Sequence, residues 1–211
     1  MKRIVPWLVL IVSAAVLVGL YPSFPERWPI HWNAAGQIDG WTDKSTLGAG
    51  FPLVMAMGLT IFLELLALLG GKCRNARLPE PWPQRLADAN ANYILYIATL
   101  LNLFFGYLAC TLPFGPPPIA SIFLLVTGAI LYPVYDFMRL SREMHAAGAL
   151  PKGYQGGIYR DASDPRLWVP KLSGAGWTLN FAHRRSRLIL LLLVGLPIAI
   201  SLLVIRSAAH P

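Results

Sequence analysis

Charge is scarce in this chain. Only 13% of its 211 residues are Asp, Glu, Lys or Arg, against about 25% in an ordinary soluble domain. So few polar side chains cannot coat a water-soluble particle of this size. Cysteine is scarcer still, with Cys73 and Cys110 alone and no CxxC pair. That excludes a disulfide framework and leaves both thiols as small apolar fillers. The patterns of several enzyme classes are missing as well. There is no HExxH, no legible serine triad and no pair of carboxylates within one apolar run. The glycine-rich stretch at 153–157 lacks the lysine and hydroxyl of a phosphate-cradling loop. No cofactor pattern is present, and the chain reads as a binding or accessory protein before it reads as an enzyme.

What is present is apolar. Hydrophobic residues make up 55% of the chain, and the mean hydropathy is +0.52. A membrane-spanning helix needs about 20 predominantly apolar residues. Five runs meet that length: Ile4 to about Tyr21, Phe51 to Leu69, Tyr93 to Leu112, Ile119 to Phe137 and Leu188 to Ile205. The first follows Met1-Lys2-Arg3 but is long for a signal peptide and has no clear small-x-small site before Tyr21-Pro22, so it reads as a retained anchor.

The net charge of +8 would point to nucleic acid on a soluble protein. Here the placement of the charges excludes that. Fifteen of the 18 Lys and Arg fall before the first run, between the second and third, or between the fourth and fifth. With five spans all three segments share one side, and the positive-inside rule makes that side cytoplasmic. The expected fold is therefore an all-α membrane protein with five transmembrane helices. Its N-terminus is cytoplasmic and its C-terminus external, as a multi-pass protein of a bacterial inner membrane. Its expected partners are the lipid bilayer and, at the basic face, anionic headgroups. The chain divides into a two-helix module at 1–70 with an external loop at 22–50, helices 3 and 4 at 71–138, a cytoplasmic segment at 139–187 and a fifth helix with an external tail at 188–211.

The external loop carries Trp28-Pro29-Ile30-His31-Trp32-Asn33, Gly36 and Asp39-Gly40-Trp41. Asn33 to Gly36 and Asp39-Gly40 are turn chemistry, and the tryptophans suit a membrane interface. Ile30, Trp32, Ile38 and Trp41 are expected to face membrane or bundle. His31, Asn33, Asp39 and Trp41 are candidates for a peptide or small-molecule ligand. Two readings stay open for His31 and Asp39: they hold the loop's own turns, or they meet a ligand. As metal ligands they are weak, since their spacing matches no zinc pattern. This stretch resembles a bacterial membrane module of unknown function, the N-terminal part of SdpI-type immunity and signalling proteins. The resemblance implies that membrane module; the SdpI-type proteins that carry it protect against a secreted toxic peptide.

The segment at 139–187 is too long for a connector. Leu167-Trp168-Val169 reads as extended, and Gly176 to Phe181 alternates with Trp177, Leu179 and Phe181 on one face. Ser173 to Gly176 supplies the turn of a short cytoplasmic β-hairpin between helices 4 and 5. Its motif residues are Asp164, Pro165, Arg166, Lys171, Trp177 and Asn180, where Asp164-Pro165 most simply starts a turn. The run Asp-Pro-Arg-Leu, Val-Pro-Lys, Gly-Trp-Thr-Leu-Asn-Phe resembles a second small domain of unknown function, often fused to the first.

Two polar residues sit deep in apolar runs, Glu64 and Asn102. A charge at a bilayer centre costs at least about 2.5 kcal/mol. Glu64 therefore needs a partner or a wet cavity, and two readings stay open: a buried bond between Glu64 and Asn102, or a proton or ligand site, for which Glu64 and Asn102 are ligand-binding candidates with the loop residues. The same residue keeps open a membrane-embedded enzyme or transporter as an alternative to a binding protein. An accessory subunit of a membrane complex is a third reading.

Overall fold

The computed structural model describes residues 3–33, 37–70, 72, 75, 77–116, 119–155, 157–174 and 176–209. Gly36, Cys73, Arg74, Pro117, Pro118 and Ala175, and the side chain of Trp32, lie outside the described residues, and with them the readings placed there. Among the described residues the chain forms five long helices: α1 (Ile4–Leu20), α2 (Thr46–Gly70), α3 (Trp82–Thr111), α4 (Ile119–Ala146) and α5 (Arg184–Ala209). Three two-stranded antiparallel sheets accompany them. The molecule is mostly helical, but the all-α expectation is incomplete, because strands occupy the segment between α1 and α2 as well as the one between α4 and α5. Four helical segments are long and apolar enough to cross a membrane among the described residues: Ile4–Ser23, Thr46–Gly70, Trp82–Phe114 and Ala120–Ala146. The fifth expected span falls on α5, part of whose side chains lie outside the described residues.

The chain divides into two compact units. The first comprises Met1–Leu68 and Ala91–Tyr132. Its helices expose Ile11, Val12, Phe51, Phe62, Phe123 and Leu124, which is the arrangement of a bundle whose outer solvent is lipid. Its core is Leu10, Leu17, Phe24, Trp28, Leu53 and small alanines. Small residues let helices approach in a membrane, where packing replaces the hydrophobic drive. Gly106 of α3 is such a contact, since a Cβ there would stand 2.2 Å from Ser13 Oγ. Tyr96 Oη donates to the Gly128 carbonyl at 3.0 Å and joins α3 to α4.

Polar groups inside this bundle are paired within the protein. Asn102 is fully buried. Its Nδ2 donates to the Pro6 carbonyl at 2.8 Å, and its Oδ1 accepts from Thr60 Oγ1 at 3.0 Å. One amide thus ties α1, α2 and α3 together. Glu64 accepts from Trp7 Nε1 at 2.8 Å. A bond between Glu64 and Asn102, one of the two readings, is therefore not formed, because α1 supplies a different partner to each.

The second unit comprises Leu69–Asn90 and Pro133–Pro211. It contains β3 (Tyr154–Gln155), β4 (Ile158–Tyr159), β5 (Trp168–Pro170) and β6 (Trp177–Leu179). β5 and β6 pair with Trp168 opposite Leu179 and Pro170 opposite Trp177. Leu86, Met144, Val169 and Leu172 form its buried interior. Arg85 pairs with Glu143, and Asn75 Nδ2 donates to the Leu172 carbonyl at 3.2 Å. Of the three side chains expected on one face, Leu179 is buried while Trp177 is 63% exposed. The strand stops at Leu179, where Asn180 turns into a polar network, so the alternation is not carried to Phe181.

Candidate functional site

The motif of the 22–50 loop folds as a β-hairpin, which sequence reasoning missed. β1 (Arg27–Trp32) pairs with β2 (Ile38–Asp43). Proline within an apolar run normally argues against a strand. Here Pro29 adjoins the first of two register shifts, between Pro29 and His31 and between His31 and Trp32, and such irregularities erase the simple period of two. The turn is closed by Asn33, whose Oδ1 accepts from Gln37 N at 2.9 Å while its own N–H donates to the Gln37 carbonyl at 2.9 Å. Asn33 is thus a clasp of the turn.

The base of the hairpin is anchored in the first unit. Trp28 and Phe24 are 2% and 3% exposed and meet edge to face at 5.8 Å. Burying such rings contributes about 1.5–3 kcal/mol each. Lys44 Nζ donates to the Phe24 carbonyl at 2.9 Å and lies 5.3 Å over the Tyr21 ring. Lys44 carried no distinctive signal in the sequence. Ser45 caps α2 by accepting from Gly48 N at 3.0 Å.

The other side of the hairpin is open. His31 Nδ1 and Asp39 Oδ1 are 2.5 Å apart across the strands, with side chains 68% and 44% exposed. Gly40 stands opposite His31, where a Cβ would come within 2.8 Å of the histidine's own. Only glycine leaves room for this pairing. Ile30, Ile38 and Trp41 are also exposed, and the Arg27 guanidinium lies 5.8 Å over the Trp41 ring. The site therefore offers an imidazole–carboxylate couple with exposed Ile38 and Trp41 on the same hairpin, while Ile30 lines a cleft with Trp28, Phe51 and Met55. Among the described residues no group of three or more His, Cys, Asp or Glu gathers to hold a metal. Glu64 and Asn102 are not part of this surface, since each is bonded within the bundle.

The motif residues of the second unit form a closed network. Asp164 accepts from Arg166 Nε at 2.9 Å, from Arg166 Nη2 at 2.7 Å and from Tyr159 Oη at 2.8 Å. The Arg166 guanidinium, then the Arg166 and Tyr159 hydrogen bonds, hold the Asp164 carboxyl well below the usual carboxylate range. Burial, then the bond to Asp164, pushes the Tyr159 hydroxyl up. Asn180 is fully buried and donates to the carbonyls of Asp161 at 2.8 Å and Asp164 at 3.1 Å. Its Oδ1 accepts from the N–H groups of Asp161 and Ala182. Pro165 carries the turn between Asp164 and Arg166, whereas Lys171 and Trp177 are exposed. The network holds a loop in shape, with Ser163 Oγ donating to Asp161 Oδ1 at 2.6 Å as part of it.

Apolar helices of spanning length around a polar, hydrogen-bonded bundle define a multi-pass membrane protein. Within that class the chain is similar to two families. Residues 8–56, which include most of α1, the hairpin and the first turns of α2, match a Domain of unknown function (DUF1648). Residues 162–187, which include the Asp164–Asn180 network, match a Family of unknown function (DUF5808). No curated protein and no solved structure matches.

Proposed function

We propose that this chain is a bacterial inner-membrane binding protein that recognises a peptide or small polar ligand on the outward side of its 27–43 hairpin, as an SdpI-type receptor or immunity module does. One observation carries the reading: the hairpin buries Trp28 and leaves the His31–Asp39 couple, Ile30, Ile38 and Trp41 exposed. Buried anchoring with an exposed polar couple and exposed apolar side chains on one hairpin fits a recognition surface better than a packing surface. The distribution of Lys and Arg supports five spans, with the N-terminus and the 139–187 segment cytoplasmic and the hairpin and C-terminus external. An enzyme or transporter built on Glu64 has less support, because that carboxylate accepts from Trp7 Nε1 within the bundle.

The test is a comparison of cells producing wild type, His31→Ala or Asp39→Ala at equal membrane abundance, challenged with membrane-active secreted peptides. Protection, and photocrosslinking of the protective peptide to the hairpin, is expected of wild type and is expected to fall at least tenfold in both variants. Variants that protect and crosslink as wild type does would remove the reading.

A further inference from the structure

The second unit contains a cleft of about 420 Å³ lined by Asn75, Arg77, Lys152, Tyr154, Tyr159 and Arg166 among others. This lies within the range of small-ligand sites, about 300–1,000 Å³. Three of its lining side chains are cationic and none is a carboxylate. We infer that this cleft binds a phosphate group, carried by a phospholipid headgroup or by a free phosphate, through Arg77, Lys152 and Arg166.

The walls are fixed before any ligand arrives. Tyr154 Oη donates to the Pro170 carbonyl at 2.5 Å. The Tyr154 and Tyr159 rings meet edge to face at 4.9 Å. The Asn75 amide is held by Leu172. Against these stiff walls the cations are unevenly engaged. Arg166 directs Nε and Nη2 to Asp164 and also meets Tyr159, so it is the most engaged of the three. Among the described residues the Arg77 guanidinium and the Lys152 ammonium make no hydrogen bond or ion pair within 4 Å, and Lys152 feels Asp161 only at longer range. Two unengaged cations converging with a third leave a net positive cleft. A guanidinium fork and an ammonium together match a phosphate's tetrahedral oxygens.

The position along the chain fits a headgroup. Arg77 stands a few residues before the span that begins at Trp82, and Lys152 a few residues after the span that ends at Ala146. Consecutive spans place those two ends on one side of a bilayer. At about 3.3 Å per residue, neither cation is more than about 20 Å of chain from the end of its helix. Trp177, paired with the cleft residue Pro170, is exposed as an interfacial tryptophan would be. The inference rests on the membrane placement of the chain and not on what the hairpin recognises.

The test uses the full chain in nanodiscs and reads the thermal midpoint. One arm compares dioleoylphosphatidylcholine discs with discs that also contain dioleoylphosphatidylglycerol. The other adds sodium phosphate to phosphatidylcholine discs, against sodium chloride at equal ionic strength. A saturable rise in either arm supports the site: a rise with phosphatidylglycerol alone assigns a headgroup, and a rise with phosphate assigns a free anion. The Arg77→Gln/Lys152→Gln double variant is expected to lose at least about tenfold in apparent affinity. The Arg184→Gln/Arg185→Gln variant, equally reduced in charge but outside the cleft, and the His31→Ala variant keep the response. A variant exchanging Arg77→Lys and Lys152→Arg keeps most of it and guards against misfolding of the neutralised form. Native mass spectrometry of wild type, which is expected to retain phosphatidylglycerol over phosphatidylcholine, needs no variant. No rise in either arm, an equal rise in wild type and the Gln variant, or equal lipid retention would overturn the inference.

Discussion

The Thr60–Asn102–Pro6 chain makes a quantitative prediction about what holds α1, α2 and α3 together. Both side chains are fully buried. Asn102 makes two interhelical bonds, at 2.8 Å to Pro6 and 3.0 Å from Thr60. Such bonds average about 0.6 kcal/mol in membranes and reach about 1.7, so Asn102→Leu should cost about 1–3 kcal/mol. Thr60→Val removes one of them and leaves Asn102 Oδ1 buried without its donor, so about 1–2 kcal/mol is expected. The single Thr60 hydroxyl proton has two acceptors within reach, Asn102 Oδ1 and the Ala56 carbonyl at 2.8 Å; in Asn102→Leu it turns wholly to Ala56, so no orphan is created there. The double variant should therefore cost less than the sum of the two, with a coupling of about 0.6–1.7 kcal/mol. The assay is reversible unfolding in mixed detergent and dodecyl sulfate micelles, followed by tryptophan fluorescence from the seven tryptophans. Costs that add to within about 0.3 kcal/mol, or an Asn102→Leu protein as stable as wild type, would refute the assignment.

Three further outcomes follow from single contacts. Glu64→Gln keeps a carbonyl for Trp7 Nε1 and should unfold within about 0.5 kcal/mol of wild type, whereas Glu64→Leu should lose about 0.6–1.7 kcal/mol in the same assay. Gly40→Ala places a Cβ 2.8 Å from that of His31; it should part His31 from Asp39, visible as a changed imidazole ¹⁵N shift, and reduce protection as His31→Ala does. The Asp164 carboxyl is held below its unfolded value near 3.9, so its contribution is present above about pH 4 and lost as pH falls further. Tyr159 is raised, so its contribution is present below about pH 10 and lost above it. Melting of wild type should therefore weaken at both extremes, and Asp164→Asn should flatten the acid limb; an unchanged acid limb would remove Asp164 as its cause.

The helices were legible because apolar runs of spanning length admit few other structures, but their ends were not. Hydropathy marks only the segment solvated by lipid. α3 begins at Trp82 and not near Tyr93, and its first turns carry Gln84, Arg85 and Asp88 on one side with buried Leu86, Ala87 and Ala89 on the other. α4 likewise continues past Phe137 to Ala146. The loop at 27–43 read as structured from its turn residues, yet its strands were hidden by Pro29 and the two register shifts. The nearness of His31 and Asp39 was legible only as shared turn chemistry; the pairing across strands depends on Gly40. The partners of Glu64 and Asn102 were out of reach, because they depend on how α1 is rotated, and a run such as Ile4 to Leu20 has no polar stripe to declare that rotation. Arg77 and Lys152 looked like ordinary members of a basic face, since only the folded second unit brings them to one cleft.

Where the hairpin lies is the most direct test of the account. In a background with Cys73→Ala and Cys110→Ala, the Asp43→Cys variant carries its thiol at the hairpin base, where the native side chain is 93% exposed. The Lys171→Cys variant carries it between the exposed Trp168 and Trp177. A membrane-impermeant maleimide applied to intact spheroplasts should label the first variant and should label the second only after permeabilisation. Labelling of position 171 in intact cells, or protection of position 43 until permeabilisation, would contradict an outward-facing recognition hairpin.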